Sequence, residues 1–310
     1  MAERRTFRDL IAANKRNSTI LVVLMFAFFL VLGGVLGGAF LADPEHIRSG
    51  VMTGLVVGAV AAAIYGLLGW FGGTGMLMAF HGAREIEKSD HPRLFNVVEE
   101  VSIAAGVPMP KVYIMDEAAP NAFATGTSPD NAAVAITTGL LEKLDRDELQ
   151  GVIAHEVGHI RNFDIRYSML MAMLAGGIVM LSEVMIRASF FRGRRSSRGK
   201  DSGQLQLILI LVGIVLAILA PILTTLIQLA MSRQREYLAD ASAVEFTRNP
   251  EGLAGALAKL AGDKTPMECS KATEAMFIVS PKVGLRGGAD SLFSTHPPIR
   301  ERIQRLMALR

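Results

Sequence analysis

The chain has 310 residues, of which 51% are hydrophobic and 20% charged, with a formal net charge of +3. A soluble domain carries roughly 25% charged residues, and a mean hydropathy of +0.36 argues against an ordinary soluble globule. The single cysteine, Cys269, excludes an internal disulfide framework, and its flanks (PMECSK) offer nothing to activate a thiol nucleophile.

In chain order, a basic N-terminus (Arg4, Arg5, Arg8, Lys15, Arg16) precedes Thr19–Leu41, an uncharged run longer than the roughly 20 residues a bilayer requires. It exceeds the apolar core of a signal peptide, and Phe40 spoils a small-x-small cleavage site, so it reads as a retained anchor. Gly50–Phe80 is uncharged and longer still, which calls for tilt or an interfacial extension. The glycine spacings Gly33/Gly37, Gly34/Gly38, Gly54/Gly58 and Gly69/Gly73 would let these two segments pack closely as a hairpin.

A soluble stretch follows, from about His81 to Arg166. The apolar period of Leu94, Val97, Val98 and Val101 predicts a helix over His91–Gly106, ended by Pro108 and Pro110. "KVYIM", "NAFATG" and "AAVAITTG" predict three short strands, with "SPDN" as the turn between the last two. Helix resumes from Leu140, with Asp145 or Asp147 near its start and Glu148 in the first turn. Tyr167–Ile186 is apolar apart from Glu183, and Ser202–Ser232 is uncharged with Pro221 at its middle. These make a second pair of membrane segments, followed by a soluble tail from Arg233. The expected organisation is membrane helices in 1–80 and 167–232 and two halves of one soluble body in 81–166 and 233–310.

"GVIAHEVGHIRNFD" holds the chemistry. Residues i and i+4 share a helix face, so His155 and His159 can reach one ion, with Glu156 turned to address a water beside it. A catalytic zinc keeps three protein ligands, so one is missing. The extended pattern with Gly at 162 and His at 165 is excluded, because this chain has Asn162 and Ile165. His46, His81 and His91 lie near membrane ends, and His296 lies far downstream. In "SRQREYLADASAVEF", Glu236 could ligate while Asp240, one turn on, accepts a ring N–H from a ligating histidine. The competing reading is a pair of solvated charges on a surface helix. Two membrane segments separate His159 from Glu236, an even number that returns both to one side.

Taken together, "NAFATG", "HEVGH", a membrane hairpin, "REYLADA" and "STHPPIRERIQRL" resemble the HtpX-type integral-membrane zinc metalloproteases over nearly the whole chain. A more distant likeness is to the prenyl-protein zinc endoproteases. The resemblance implies a mainly α (α+β) membrane protein with four transmembrane helices and a zincin-like catalytic domain containing a small sheet. It implies one Zn²⁺ per chain, held by His155, His159 and Glu236, with Asp240 supporting the ligands. It further implies an ATP-independent endopeptidase for misfolded or damaged membrane proteins, facing the cytoplasm from a bacterial inner membrane. Glu156 would take a proton from the attacking water and return it to the leaving amine. By the same resemblance His296 would meet the developing oxyanion and Arg302 would order the pocket. The "NAFATG" strand would offer Asn121 and Ala122 to a substrate peptide through backbone hydrogen bonds.

Other classes fit less well. A transporter would need intramembrane ionisable groups, and the segments supply only Glu183 near an end. "GRRSSRGKD" has five residues between its glycines and Asp201 where a phosphate loop has Ser or Thr, so no nucleotide partner is expected. The surplus of positive charge lies beside apolar segments, which points to membrane orientation and away from nucleic acid. The basic N-terminus sets the catalytic stretch inside, yet Arg187–Lys200 contains six basic residues where the outside is expected. Either the first span dominates, or the third and fourth segments do not cross fully.

Overall fold

The computed structural model describes residues 7–40, 46–174, 176–178, 181, 211–212, 214–215, 218, 233–267, 273, 276–279 and 297–309. Glu183, the basic run 187–200, Pro221, Cys269 and His296 lie outside these residues, as do large parts of the third and fourth apolar segments. The chain forms two compact units. One gathers Met1–Asn17, Gly72–Met169 and Ile227–Arg310, and the other gathers Ser18–Phe71 and Leu170–Leu226.

Two described helices are long and apolar enough to cross a membrane: Ala12–Gly38, within α1 (Phe7–Phe40), and α2 (Ile47–Phe80). Helix α1 starts at Phe7, well ahead of the apolar run that opens at Thr19. A helix of 34 residues is about 51 Å long, against about 30 Å of hydrocarbon, so each has turns to spare outside the bilayer.

In the unit holding Ser18–Phe71, the glycines set the spacing between α1 and α2. A Cβ on Gly33 would lie 2.3 Å from the Gly54 carbonyl oxygen, and one on Gly54 would lie 2.1 Å from that of Gly33. The two backbones touch there, and any side chain would push them apart. Gly34 and Gly38 instead face the side chains of Leu55 and Val51. Away from the seam, Val31 and Phe71 are 66% and 78% exposed, a cost in water that lipid removes.

The other unit is built around one helix. Helix α3 (Pro92–Ala105) is capped by His91, whose Nδ1 accepts from the Leu94 N–H at 3.2 Å, and it ends at Gly106 with φ 68°. Its expected apolar face, Leu94, Val97, Val98 and Val101, is buried. The sheet has four strands in the order β1 (Arg84–Glu85), β2 (Lys111–Met115), β4 (Asn131–Thr137), β3 (Ala122–Ser128). β2 and β4 run parallel and the other two pairings are antiparallel, which leaves β3 at an edge. The sequence anticipates β2, β3 and β4; the two-residue β1 is too short to show a pattern.

Where one helix was expected from Leu140, the structure has two. Thr137 caps α4 (Thr138–Lys143), the chain turns extended at Leu144, and Asp145 starts α5 (Arg146–Arg161). The break is chemical: Asp145 and Glu148 form a reciprocal capping box that satisfies the first donors of α5. Helices α6 (Arg233–Thr247), α7 (Pro250–Ala261) and α8 (Ile299–Met307) complete the unit. α5 packs against α3, α6, α7 and β3, and its residues from Leu149 to Ile160, Gln150 apart, are buried. Leu149, Val152, Ile153, Val157 and Ile160 join Val134 and Ile136 of β4 and Leu253 and Leu257 of α7 in one core. A helix surrounded in this way holds its side chains in fixed rotamers, which a metal site requires.

Candidate metal centre

Gly158 faces α6 closely enough that a Cβ there would lie 3.1 Å from Ser242 Cβ and 3.3 Å from Ala239 Cα. This approach brings the carboxylates of α6 to the histidines of α5. His155 and His159 Nε2 are 3.2 Å apart. Glu236 Oε1 lies 3.6 Å from His159 Nε2, and its Oε2 lies 3.8 Å from His155 Nε2. All three residues are buried, and each offers one ligand atom within 4.8 Å of the others.

A tetrahedral ion with bonds of about 2.0–2.1 Å holds its ligand atoms about 3.3 Å apart, so the three atoms fit around one. Their hydrogen bonds argue the same way. His155 Nδ1 is 2.9 Å from Asp240 Oδ1, and His159 Nδ1 is 3.1 Å from Asp164 Oδ2. Carboxylates only accept, so both rings carry a proton on Nδ1 and turn their Nε2 atoms toward each other. Two Nε2 atoms 3.2 Å apart need a cation between them, either a proton on one ring or a metal ion bound by both.

The surrounding charges differ for the two rings. Burial and the Arg302 guanidinium lower the His155 pKa to about 4, against the pull of Asp240. At His159 burial opposes the charged form, but Asp164, Glu236 and Glu156 outweigh it and raise the pKa to about 9. Positive charge is thus favoured at His159 and disfavoured at His155. Glu156 is buried beside the pair, and desolvation pushes its carboxyl up to about 7. A carboxyl at that value can take or give a proton near neutral pH.

Asp240 and Arg302 form the far wall. Arg302 is fully buried, donating through Nε to Asp240 Oδ2 at 2.9 Å and through a terminal nitrogen to Oδ1 at 2.7 Å. Its other terminal nitrogen lies 3.5 Å from Glu236 Oε2. Burial raises the Asp240 pKa, but Arg302 and His155 outweigh it and hold the carboxyl at about 2. The surface-helix reading of Glu236 and Asp240 fails on burial, at 1% and 4% exposure.

Asn121 and Ala122 stand at the start of edge strand β3 and have partners within the chain. Asn121 Nδ2 donates to the Val279 carbonyl at 2.9 Å, and the Ile278 N–H donates to the Ala122 carbonyl at 3.0 Å. Met276, Phe277 and Ile278 line a cavity with Ala124, Glu156 and the histidines. His296 lies outside the described residues. The sequence expectations do not include Asp164, although it closes the "HEVGHIRNFD" run. A carboxylate five residues past the second histidine was the available signal, but only the turn after α5 aims it back at the ring.

Residues 88–310 match peptidase family M48. The chain belongs to that family. Relatives of this M48 peptidase include a "Protease HtpX homolog" of Streptococcus gordonii, 44% identical over 300 residues that make up 96% of this chain and 97% of the relative. A protein of the same name from Streptococcus pneumoniae is 46% identical over 303 residues, covering 96% and 98% of the two chains. Among solved structures, the crystal structure of S. mikatae Ste24p aligns with a TM-score of 0.49 at 21% identity, over 96% of this chain and 66% of that one. The protein is a membrane-associated metalloprotease that acts on protein substrates.

Proposed function

We propose that this M48 metalloprotease is a zinc endopeptidase whose ligands are His155, His159 and Glu236 and whose general base is Glu156. The supporting observation is three buried donor atoms within 4.8 Å of one another, with a buried carboxyl beside them. Zinc, when bound, supplies Lewis acidity for a peptide carbonyl and for water. Glu156 accepts the proton of the attacking water and passes it to the nitrogen of the leaving amine. Asp240 holds His155 by its Nδ1–H, and Arg302 holds Asp240 from behind in a two-point contact that fixes the carboxylate plane. His296 is proposed to steady the oxyanion. A peptide is proposed to dock along edge strand β3 near Asn121 and Ala122, where it would have to take the place of the Ile278 N–H on the Ala122 carbonyl.

Residues 81–166 and 233–310 are read as two halves of one catalytic domain, with membrane helices in 1–80 and a membrane hairpin in 167–232. The grouping of Gly72–Met169 with Ile227–Arg310 in one compact unit supports this. Four spans place both halves on the side of the basic N-terminus, the cytoplasmic face of a bacterial inner membrane. From there the enzyme would remove misfolded membrane proteins without ATP. Metal analysis of the purified protein, with wild type and Glu156→Gln tested on an unfolded protein substrate, decides the matter. Zinc in both and turnover only in wild type is the expected result; turnover by Glu156→Gln would overturn it.

A further inference from the structure

The two candidate histidine ligands are held by different carboxylates, His155 by Asp240 and His159 by Asp164, and the support of His159 includes a residue near the N-terminal end of the chain. Asn14, in the first turns of α1, is 3% exposed. Its Nδ2 donates to the Asn162 carbonyl at 3.0 Å and also to Asp164 Oδ1. The other oxygen of Asp164 accepts from His159 Nδ1 at 3.1 Å. Asn162 is the residue that ends α5, and Phe163 after it takes φ 59°, a left-handed conformation that an aromatic residue seldom adopts. After that turn Asp164 stands within hydrogen-bond reach of the His159 ring. Lys15 Nζ sits 4.2 Å from the centre of the Phe163 ring, so α1 grips the turn at two consecutive residues.

We infer that Asn14 is a positioning residue of the metal centre, acting through Asp164 to set the tautomer and ring angle of His159. An amide is suited to the task. One N–H can fix a carboxylate oxygen while the other ties the same group to the backbone that carries it. With Asp164 held, His159 keeps its proton on Nδ1 and presents Nε2 inward. Partners that orient a ligating histidine in this way contribute about 10–100-fold in metal affinity or activity. The helix that begins the membrane anchor therefore completes the protease site with its outermost turns.

The inference rests on the zinc reading above, and its test separates the two. Full-length protein in detergent is titrated with zinc against a chromophoric chelator, for wild type, Asn14→Leu, Asn14→Ala, Asp164→Asn and the Asn14→Ala/Asp164→Asn double variant. The Leu and Ala variants fill the site differently, so poor folding of one leaves the other to decide. Wild type should bind one zinc, each Asn14 variant should lose about 10–100-fold in affinity, and the cobalt-substituted protein should shift its ligand-field spectrum. Because Asn14 acts through Asp164, the double variant should lose little beyond Asp164→Asn alone. Zinc affinity and cobalt spectrum unchanged in the Asn14 variants, or losses that simply add in the double variant, overturn the inference. Absence of zinc from wild type would instead overturn the proposed function.

Discussion

Among the described helix pairs that meet through glycine, α1–α2 and α5–α6 do so for different reasons. α1 and α2 touch at Gly33 and Gly54, where a Cβ would fall within 2.3 Å of a carbonyl oxygen of the other helix. α5 and α6 touch at Gly158, where the nearest atoms of the other helix stand at 3.1–3.3 Å. In lipid no hydrophobic drive separates helix from solvent, so close backbone packing itself supplies the association. The α5–α6 pair is already surrounded by a core, and closeness there serves reach: Glu236 and Asp240 have short side chains that must meet two imidazoles. One glycine contact makes an interface and the other makes a site.

The largest effects should fall on chemistry at the second pair. Glu156→Gln should lower turnover by about 10²–10⁴-fold and keep its zinc, measured by peptidase assay with metal analysis. Glu236→Ala should lose most of its zinc and with it activity; full occupancy would remove Glu236 from the site and reduce α5–α6 to a packing contact. Gly158→Val would separate the two helices without touching a ligand. It should weaken zinc binding by at least tenfold, in the range of lost ligand support, and an unchanged affinity would break the contrast drawn here.

The first pair should respond in stability alone. Gly33→Leu overpacks the α1–α2 seam and should cost about 1–3 kcal/mol, read as a lower unfolding midpoint, while zinc per folded molecule stays at the wild-type value. The smallest effect belongs to neither pair. Asp263, beside Lys143 at the end of α4, has its carboxyl pulled from 3.8 to about 2, chiefly by that hydrogen bond. Its folded value is depressed, so its stabilisation is present above pH 3.8 and fades as pH falls toward 2. Asp263→Asn should cost at most about 1 kcal/mol at neutral pH, and the gap from wild type should close across that acid window.

Much of the candidate site was legible because its parts lie at helical spacing. His155, Glu156 and His159 on one strip, and Glu236 and Asp240 on another, need only 3.6 residues per turn to be placed. The apolar face of α3 follows from the same helical period, the strands β2, β3 and β4 from short runs of strand-forming residues, and the first two long apolar helices from uncharged runs of sufficient length. Local sequence decides these features, because each depends on residues within a few turns of one another.

What the tertiary structure alone decided depends on contacts between distant parts of the chain. No spacing rule joins Asn14 to Asp164, 150 residues apart, or Arg302 to Asp240, 62 apart. Nor does any local pattern reveal that Val279 would take both ends of the Asn121 amide. A hydrogen bond specifies direction within a few tenths of an ångström, and a side chain gains that direction only after the helices carrying it have packed. The sequence by itself determined which residues could hold a metal; packing determined which way each of them faces.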